Sequence, residues 1–243
     1  MSAREGDETT DAFQRGAFRL VQGRAGHRAG MDALLLASLV PDDATGRLLD
    51  LGSGSGAVAF AALARCEGLE AVLAERDVRV LERAERGIDL NGWRLRARTV
   101  NVDVTRAHAD VRKAGLEGEG FDYVLSNPPF NGAGHRPSPD AQRRAAHADA
   151  DLDAWLATAW RCVRSDGLVG FVVRPDALPL FLRRGGRGVT LRWVHPRADE
   201  PASRLLVETR KSRRTPLTVV PPLVVHEPDG AFGEEARAIF EGA

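Results

Sequence analysis

Leu48-Leu49-Asp50-Leu51-Gly52-Ser53-Gly54-Ser55-Gly56 is the stretch that decides the fold. Its first four residues, apolar but for one carboxylate, read as a short buried strand. The three alternate glycines read as a tight turn feeding a helix over 55–66. Such a turn brings backbone close to whatever lies beyond the strand end and leaves unpaired amides at the helix start.

Working outward, the same alternation repeats. Strands are expected at Ala71 to Glu75, Arg98 to Val102, Phe121 to Ser126 and Leu168 to Val173, with helices at Val78 to Leu90, Leu152 to Val163 and Leu178 to Arg183. Five-residue apolar strands separated by helical patterns argue a doubly wound, Rossmann-like α/β sheet with helices on both faces. Near the end, Val189 to Val194 and Leu205 to Glu208 leave no room for a helix between them, so an antiparallel edge pair is expected. Leu217 to His226 is apolar and extended but carries Pro221 and Pro222, which suits an edge and not a central strand. A last short helix is expected within Ala231 to Phe240. Before the first strand, Met1 to Asp11 reads as a loose leader, and Asp32 as the cap of an apolar helix from Ala33 to Val40 that Pro41 ends.

A glycine turn of this kind serves nicotinamide, flavin and S-adenosylmethionine enzymes alike. Glu75 ends the second strand, 23 positions after Gly52, where a carboxylate accepts both hydroxyls of an adenosine ribose. The spacing of Gly52, Gly54 and Gly56 is G-x-G-x-G, with Ala57 where the dinucleotide fingerprint has its third glycine, which weakens a dehydrogenase reading. Asp103, past the third strand, is a candidate for an adenine edge, and Asp50 for an ammonium reached through the turn or a water. Each has a plainer reading as a strand-end carboxylate.

Asn127-Pro128-Pro129-Phe130 follows the fourth strand directly. In a doubly wound sheet the ligand crevice lies at the carboxyl ends of the strands, so Asn127 is expected beside the cofactor loops. The Asn127 side-chain oxygen and the Pro128 carbonyl are two acceptors for the N–H bonds of a planar amine, the prolines restrict the backbone, and Phe130 offers a stacking face. The loop from Asn131 to Ala150 carries Arg136, Arg143, Arg144 and His147, candidate phosphate contacts.

The 243 residues suit one α/β domain with terminal additions, and 43% hydrophobic with 28% charged residues reads as soluble and globular. The 34 basic and 34 acidic residues cancel, but not evenly: from Ala12 to Met31 there are Arg15, Arg19, Arg24 and Arg28 and no carboxylate, ten Arg/Lys lie from Arg183 to Arg214 against Asp199, Glu200 and Glu208, and the tail beyond is acidic. A local basic surface is therefore compatible with zero net charge. Cys66 and Cys162 form no ligand pattern, and His27, His147 and His226 are too dispersed for a metal, so none is expected. Two cysteines without a signal peptide fit a reduced, cytoplasmic setting, and Ala33 to Val40 is too short to cross a bilayer.

Together these segments resemble the class I S-adenosylmethionine-dependent methyltransferases, in particular the amino-methylating group with an Asn-Pro-Pro-Phe/Tyr motif, and most closely the tRNA1(Val) adenine-37 methyltransferase family. The resemblance is carried by residues 26–36, 49–56, Glu75, Asn91-Gly92-Trp93, Asn127 to Phe130 and residues 225–230. It implies seven strands with an antiparallel last strand, S-adenosylmethionine held by the glycine turn and Glu75, and adenine held at Asn127, Pro128 and Phe130. It also implies a segment 1–31 that closes over the cofactor, with Gly30 and Asp32 as candidates, a domain over 32–214 and a packed extension over 215–243. The implied partner is a tRNA, with no membrane and no obligate protein partner. The same grip serves protein glutamines and other planar amines, and a non-catalytic RNA-binding relative is the reading from another class.

Overall fold

The computed structural model describes residues 7–25, 28–106, 108–116, 118–129, 141–183 and 188–242, with side chains in the 141–183 segment described from Leu152 onward. Phe130, His27, Arg136, Arg184 and Arg187 lie outside the described residues, as do the side chains of Arg143, Arg144 and His147.

The strands are β1 (Glu8–Phe13), β2 (Phe18–Gly23), β3 (Gly46–Leu51), β4 (Leu69–Glu75), β5 (Ala97–Asn101), β6 (Phe121–Ser126), β7 (Val163–Val173), β8 (Val189–His195), β9 (Arg204–Arg210), β10 (Thr218–Val219) and β11 (Leu223–Val224). The helices are α1 (Met31–Ala37), α2 (Ala57–Arg65), α3 (Val78–Leu90), α4 (His108–Lys113), α5 (Ala141–Cys162), α6 (Leu178–Arg183) and α7 (Glu234–Glu241).

The central sheet runs β8-β9-β7-β6-β3-β4-β5, with β10 and β11 added in parallel along the outside of β8. All neighbours among the seven are parallel except at β9, which runs against both β7 and β8. This is the expected seven-stranded, doubly wound order with its last long strand reversed. The connection from β8 to β9 spans only Pro196 to Ser203, too short for a parallel crossover. The Pro221-Pro222 pair lies between the two short edge strands, where no ladder donor is needed.

Side-chain alternation explains why both faces need cover. Leu48, Ala71 and Leu73 belong to the core under α1, α2 and α3, while Leu49, Leu51, Val72 and Ala74 belong to the core under α4, α5 and α6. The parity matters for Asp50: sharing a face with Leu48, it points under α2, and it is 1% exposed.

Residues 8–11, read from the sequence as part of a loose leader, instead belong to β1, which pairs with β2 in a hairpin. This hairpin covers the outer side of α2, whose residues Ala57 to Leu63 are all buried for that reason. Phe18 of the hairpin meets the edge of Phe60, and Phe60 meets Trp93. The stretch Glu8-Thr9-Thr10-Asp11 is polar because Glu8 receives Arg83 and Arg86, and Asp11 receives Gln22 and Arg28. The C-terminal segment packs through α7 on α1, and Gln14 of the hairpin turn donates to the Ile239 carbonyl.

Candidate active site

The carboxyl ends of β3, β4, β5 and β6 converge on one edge of the sheet. At the end of β3 the N–H groups of Gly52 and Ser53 both donate to the Ala74 carbonyl, at 2.8 and 3.0 Å, which locks the turn to β4. Gly52 and Gly54 have φ of +68° and +55°, and Gly56, at +97°, occupies the N-cap position of α2. The first two differ in their surroundings. A Cβ on Gly52 would lie 2.1 Å from the Trp155 indole, whereas a Cβ on Gly54 would meet nothing within 4 Å. Among the described residues Gly54 therefore faces open space, and Gly52 makes room for the protein's own helix α5.

Glu75 ends β4 as expected. One carboxylate oxygen accepts the Gly54 N–H at 3.1 Å, and the other accepts those of Arg76 and Asp77 at 2.8 and 2.9 Å. Three backbone donors fix the carboxylate at the rim, and carboxylate oxygens keep lone pairs for further hydroxyl donors.

Asp50 is not at the rim. Its carboxyl lies beneath α2 and accepts the Ala59 N–H at 3.1 Å, tying the first turn of the helix to β3. Burial pushes the Asp50 carboxyl up to about 7, against the Ala59 hydrogen bond and with a contribution from the charge of Glu75. It therefore braces the turn from beneath the helix and does not reach the rim. Asp103 accepts both the N–H and the hydroxyl of Thr105, at 3.0 and 2.6 Å, and faces Arg106 at 3.6 Å. Its partial burial raises its carboxyl, but the Thr105 bonds and the charges of Arg76 and Arg106 outweigh that and hold it below the usual range.

Asn127 follows β6 directly, between the glycine turn and the end of β7. Its side-chain oxygen is buried and has no hydrogen-bond partner among the described residues. An unfilled buried acceptor costs about 1–3 kcal/mol, so this oxygen is open to a donor beyond the described residues. Pro128 is buried and Pro129 exposed, which turns the backbone away from the sheet.

Gly30 is the N-cap of α1, in extended conformation, and no side chain caps the helix. Asp32 does not cap it, contrary to the sequence expectation. Standing inside the first turn, it instead accepts Arg204 Nε on both oxygens, at 3.0 and 2.9 Å. Three residues escaped the sequence reading. Ser126, fully buried, donates its hydroxyl to the Leu51 carbonyl at 3.0 Å and so joins the end of β6 to the start of the glycine turn. Trp155 packs on Gly52, and Thr158 donates to the Val104 carbonyl at 2.8 Å, so one face of α5 holds two of the rim loops. The first carries a local signal, a serine before the Asn-Pro-Pro turn; the others depend on contacts about a hundred and about fifty residues apart.

Residues 28–154 match the methyltransferase small domain model, which covers the α1 segment, the glycine turn, Glu75 and the Asn127 turn. The chain belongs to the methyltransferase small domain family. As a class I member it is an S-adenosylmethionine-dependent methyltransferase, and the open cradle at Gly54, the fixed Glu75 carboxylate and the unfilled Asn127 oxygen fit that cofactor and a planar acceptor. The methyltransferase is 23% identical over 243 residues to the tRNA1(Val) (adenine(37)-N6)-methyltransferase of Vibrio parahaemolyticus, covering 98% of both chains. It is 29% identical to the Tolumonas auensis protein of that name over 64% of this chain and 63% of that one. Among solved structures, a predicted O-methyltransferase from Agrobacterium tumefaciens superimposes with a TM-score of 0.73 at 32% identity, over 86% of this chain and 94% of that one.

In this methyltransferase the described basic residues between Arg192 and Arg213 do not share a face. Arg204 begins β9 at the carboxyl-end rim, while Arg210, Lys211 and Arg213 lie at the opposite edge, against Glu208, Glu119 and Asp166. Arg192 is held by Glu235 of the acidic tail, and Arg15 by Glu241. Alternation of strand and loop positions disperses a run that looks continuous in sequence. Among the described residues no group of His, Cys, Asp and Glu is placed to hold a metal ion, and no helix is long and apolar enough to cross a membrane. Both cysteines are free and buried, and burial pushes the Cys162 thiol up to about 11.

Proposed function

We propose that the protein methylates the exocyclic N6 amine of an adenine in tRNA, adenine 37 being the position named in its relatives. The observation that carries this reading is the buried Asn127 oxygen left without a donor at the end of β6, one strand from the glycine turn. S-adenosylmethionine, when bound, supplies an electrophilic methyl group. Gly54 and Glu75 are assigned to its ribose and backbone approach, Asp103 to the adenine side of the rim, and Gly30 with α1 to the segment that covers it.

Asn127 Oδ1 and the Pro128 carbonyl accept the two N–H bonds of the acceptor amine. That geometry turns the nitrogen lone pair out of conjugation with the ring and toward the cofactor side of the crevice. No strong base is required at this position, because the amine sheds its proton to solvent once it carries the methyl group. Phe130 is assigned to stacking on the base, as in other aromatic platforms for unpaired nucleobases. Asp50 and Ser126 position the two halves without touching the substrate. Such a substrate belongs with a cytoplasmic setting.

The test is transfer of labelled methyl groups from S-adenosylmethionine to unmodified tRNA, followed by nucleoside analysis. N6-methyladenosine made by the wild type and lost in Asn127→Ala supports the reading. Label confined to protein, or to a nucleoside other than adenosine, overturns it.

A further inference from the structure

Beside the acceptor position, the same rim carries a second cleft that the assignment above does not use. It measures about 300 Å³ and is lined by Arg174, Pro175, Asp176, Ala202, Ser203 and Arg204. Arg174 to Asp176 continue directly from the carboxyl end of β7, and Ala202 to Arg204 lead into β9, whose first residues pair with the last of β7. Since β6, β7 and β9 are consecutive in the sheet, this cleft is displaced from the end of β6 by one to two strand spacings, about 5–10 Å. The nucleotides flanking a base held at Asn127 span such a distance.

The lining has the chemistry of one sugar–phosphate unit. Arg174 supplies a cationic fork; its ion-pair partner among the described residues, Asp176, is 3.5 Å away, and the two side chains are 44% and 72% exposed. A pair that open and long is weak, so the guanidinium can exchange it for a phosphate. Arg204 is pre-placed by the two oxygens of Asp32 and by the Ser203 carbonyl, which fixes the far wall. Asp176 provides carboxylate acceptors for a hydroxyl donor, and Pro175 and Ala202 provide an apolar surface for a sugar face. The volume stands at the small end of ligand clefts and suits part of a longer chain.

We infer that this cleft is a backbone subsite for RNA, in which Arg174 binds a phosphate next to the methylated nucleotide and Asp176 accepts the 2′-hydroxyl of the adjoining ribose. The inference rests on the proposed RNA substrate. It adds a way for the enzyme to hold an unstacked adenine by its flanking backbone and to distinguish RNA from DNA. The arginine supplies the sequence-independent hold, and the carboxylate supplies the preference for ribose.

The experiment measures binding of a fluorescent anticodon stem-loop RNA to the full chain across a salt series, using wild type, Arg174→Gln and Asp176→Ala. Single 2′-deoxy substitutions are placed at each nucleotide flanking the acceptor adenine. Arg174→Gln is expected to weaken binding several-fold and to reduce the slope of log affinity against log salt by about one. One deoxy position is expected to weaken binding to wild type but not to Asp176→Ala. S-adenosylmethionine affinity, measured by calorimetry, is expected to stay at the wild-type value in both variants, and their exposed positions leave folding unaffected. Wild-type affinity and slope in Arg174→Gln, with no deoxy position sensed, would overturn the subsite while RNA methylation by the same preparation left the functional reading intact. Loss of S-adenosylmethionine affinity in either variant would also overturn it, by assigning the cleft to the cofactor. Absence of adenine methylation by the wild type would instead sink the functional reading.

Discussion

The glycine turn and the Asn127 turn leave adjacent strands at the same edge of the sheet, yet they are finished to different degrees. On the cofactor side the polar groups answer one another: Gly52 and Ser53 N–H to Ala74, Gly54, Arg76 and Asp77 N–H to Glu75, and Ala59 N–H to Asp50. On the acceptor side the Asn127 oxygen is buried and unanswered among the described residues. The first region is a completed framework that a ligand adds to, and the second is a framework with one hydrogen bond reserved. Folding alone stabilises the former, while under the proposed function the latter gains its full free energy only with the acceptor in place.

The largest effect should come from breaking the acceptor side. Asn127→Ala is expected to lower kcat by about 10²–10³, the range seen when one oriented hydrogen-bonding group is removed from a reacting centre. The same variant is expected to keep or raise its midpoint in urea, because it discards an unfilled buried acceptor. A marked loss of stability would mean that the oxygen already has a partner and would erase the contrast.

A second test divides the cofactor side itself. Gly52→Ala drives a methyl group into Trp155 and strains a backbone at φ +68°, and a loss of about 2–4 kcal/mol in unfolding free energy is expected. Gly54→Ala meets open space, so its stability loss should be about 1 kcal/mol, while its affinity for S-adenosylmethionine falls more steeply than its stability. Equal losses of stability at the two glycines would show that they are not differently engaged. Chemical denaturation with parallel calorimetry reads both.

The last test concerns Asp50 beneath the turn, whose carboxyl is raised from an ordinary value of 3.8 to about 7. A raised carboxyl binds its proton more tightly in the folded state, so its contribution to stability is present at low pH and is lost as pH rises through that interval. Asp50→Asn keeps an acceptor for Ala59 and removes the titration. It should gain stability relative to wild type between about pH 4 and pH 7 and run parallel above. A constant difference between the two proteins across that range would show that Asp50 does not titrate where burial places it.

Sequence pattern made the sheet legible because its inner strands are covered on both faces and are therefore nearly continuous apolar runs. The hairpin was hidden because Glu8 to Asp11 form an outer strand whose polar side chains bond to neighbours and not to a core. Helix α4, six residues long, buries Val111 alone and leaves little periodic signal. Strand β7 begins at Val163, earlier than expected, because Arg164, Ser165 and Asp166 interrupt its apolar pattern and Asp166 turns with φ +59°. At the site, Glu75 and Asn127 could be placed because each ends a recognisable strand. The Asp32–Arg204 pair could not, since its partners stand 172 residues apart and meet only when β9 inserts beside β7.

The indole of Trp155 against Gly52 alters what a glycine-rich turn testifies to. Any descendant of this chain that abandoned methyl transfer would still be obliged to keep Gly52 for as long as it kept Trp155, whereas Gly54 would be held only by the milder demand of its backbone φ of +55°. Of the two glycines, only the one facing empty space is a witness to the ligand; its neighbour would look equally conserved in a pseudoenzyme.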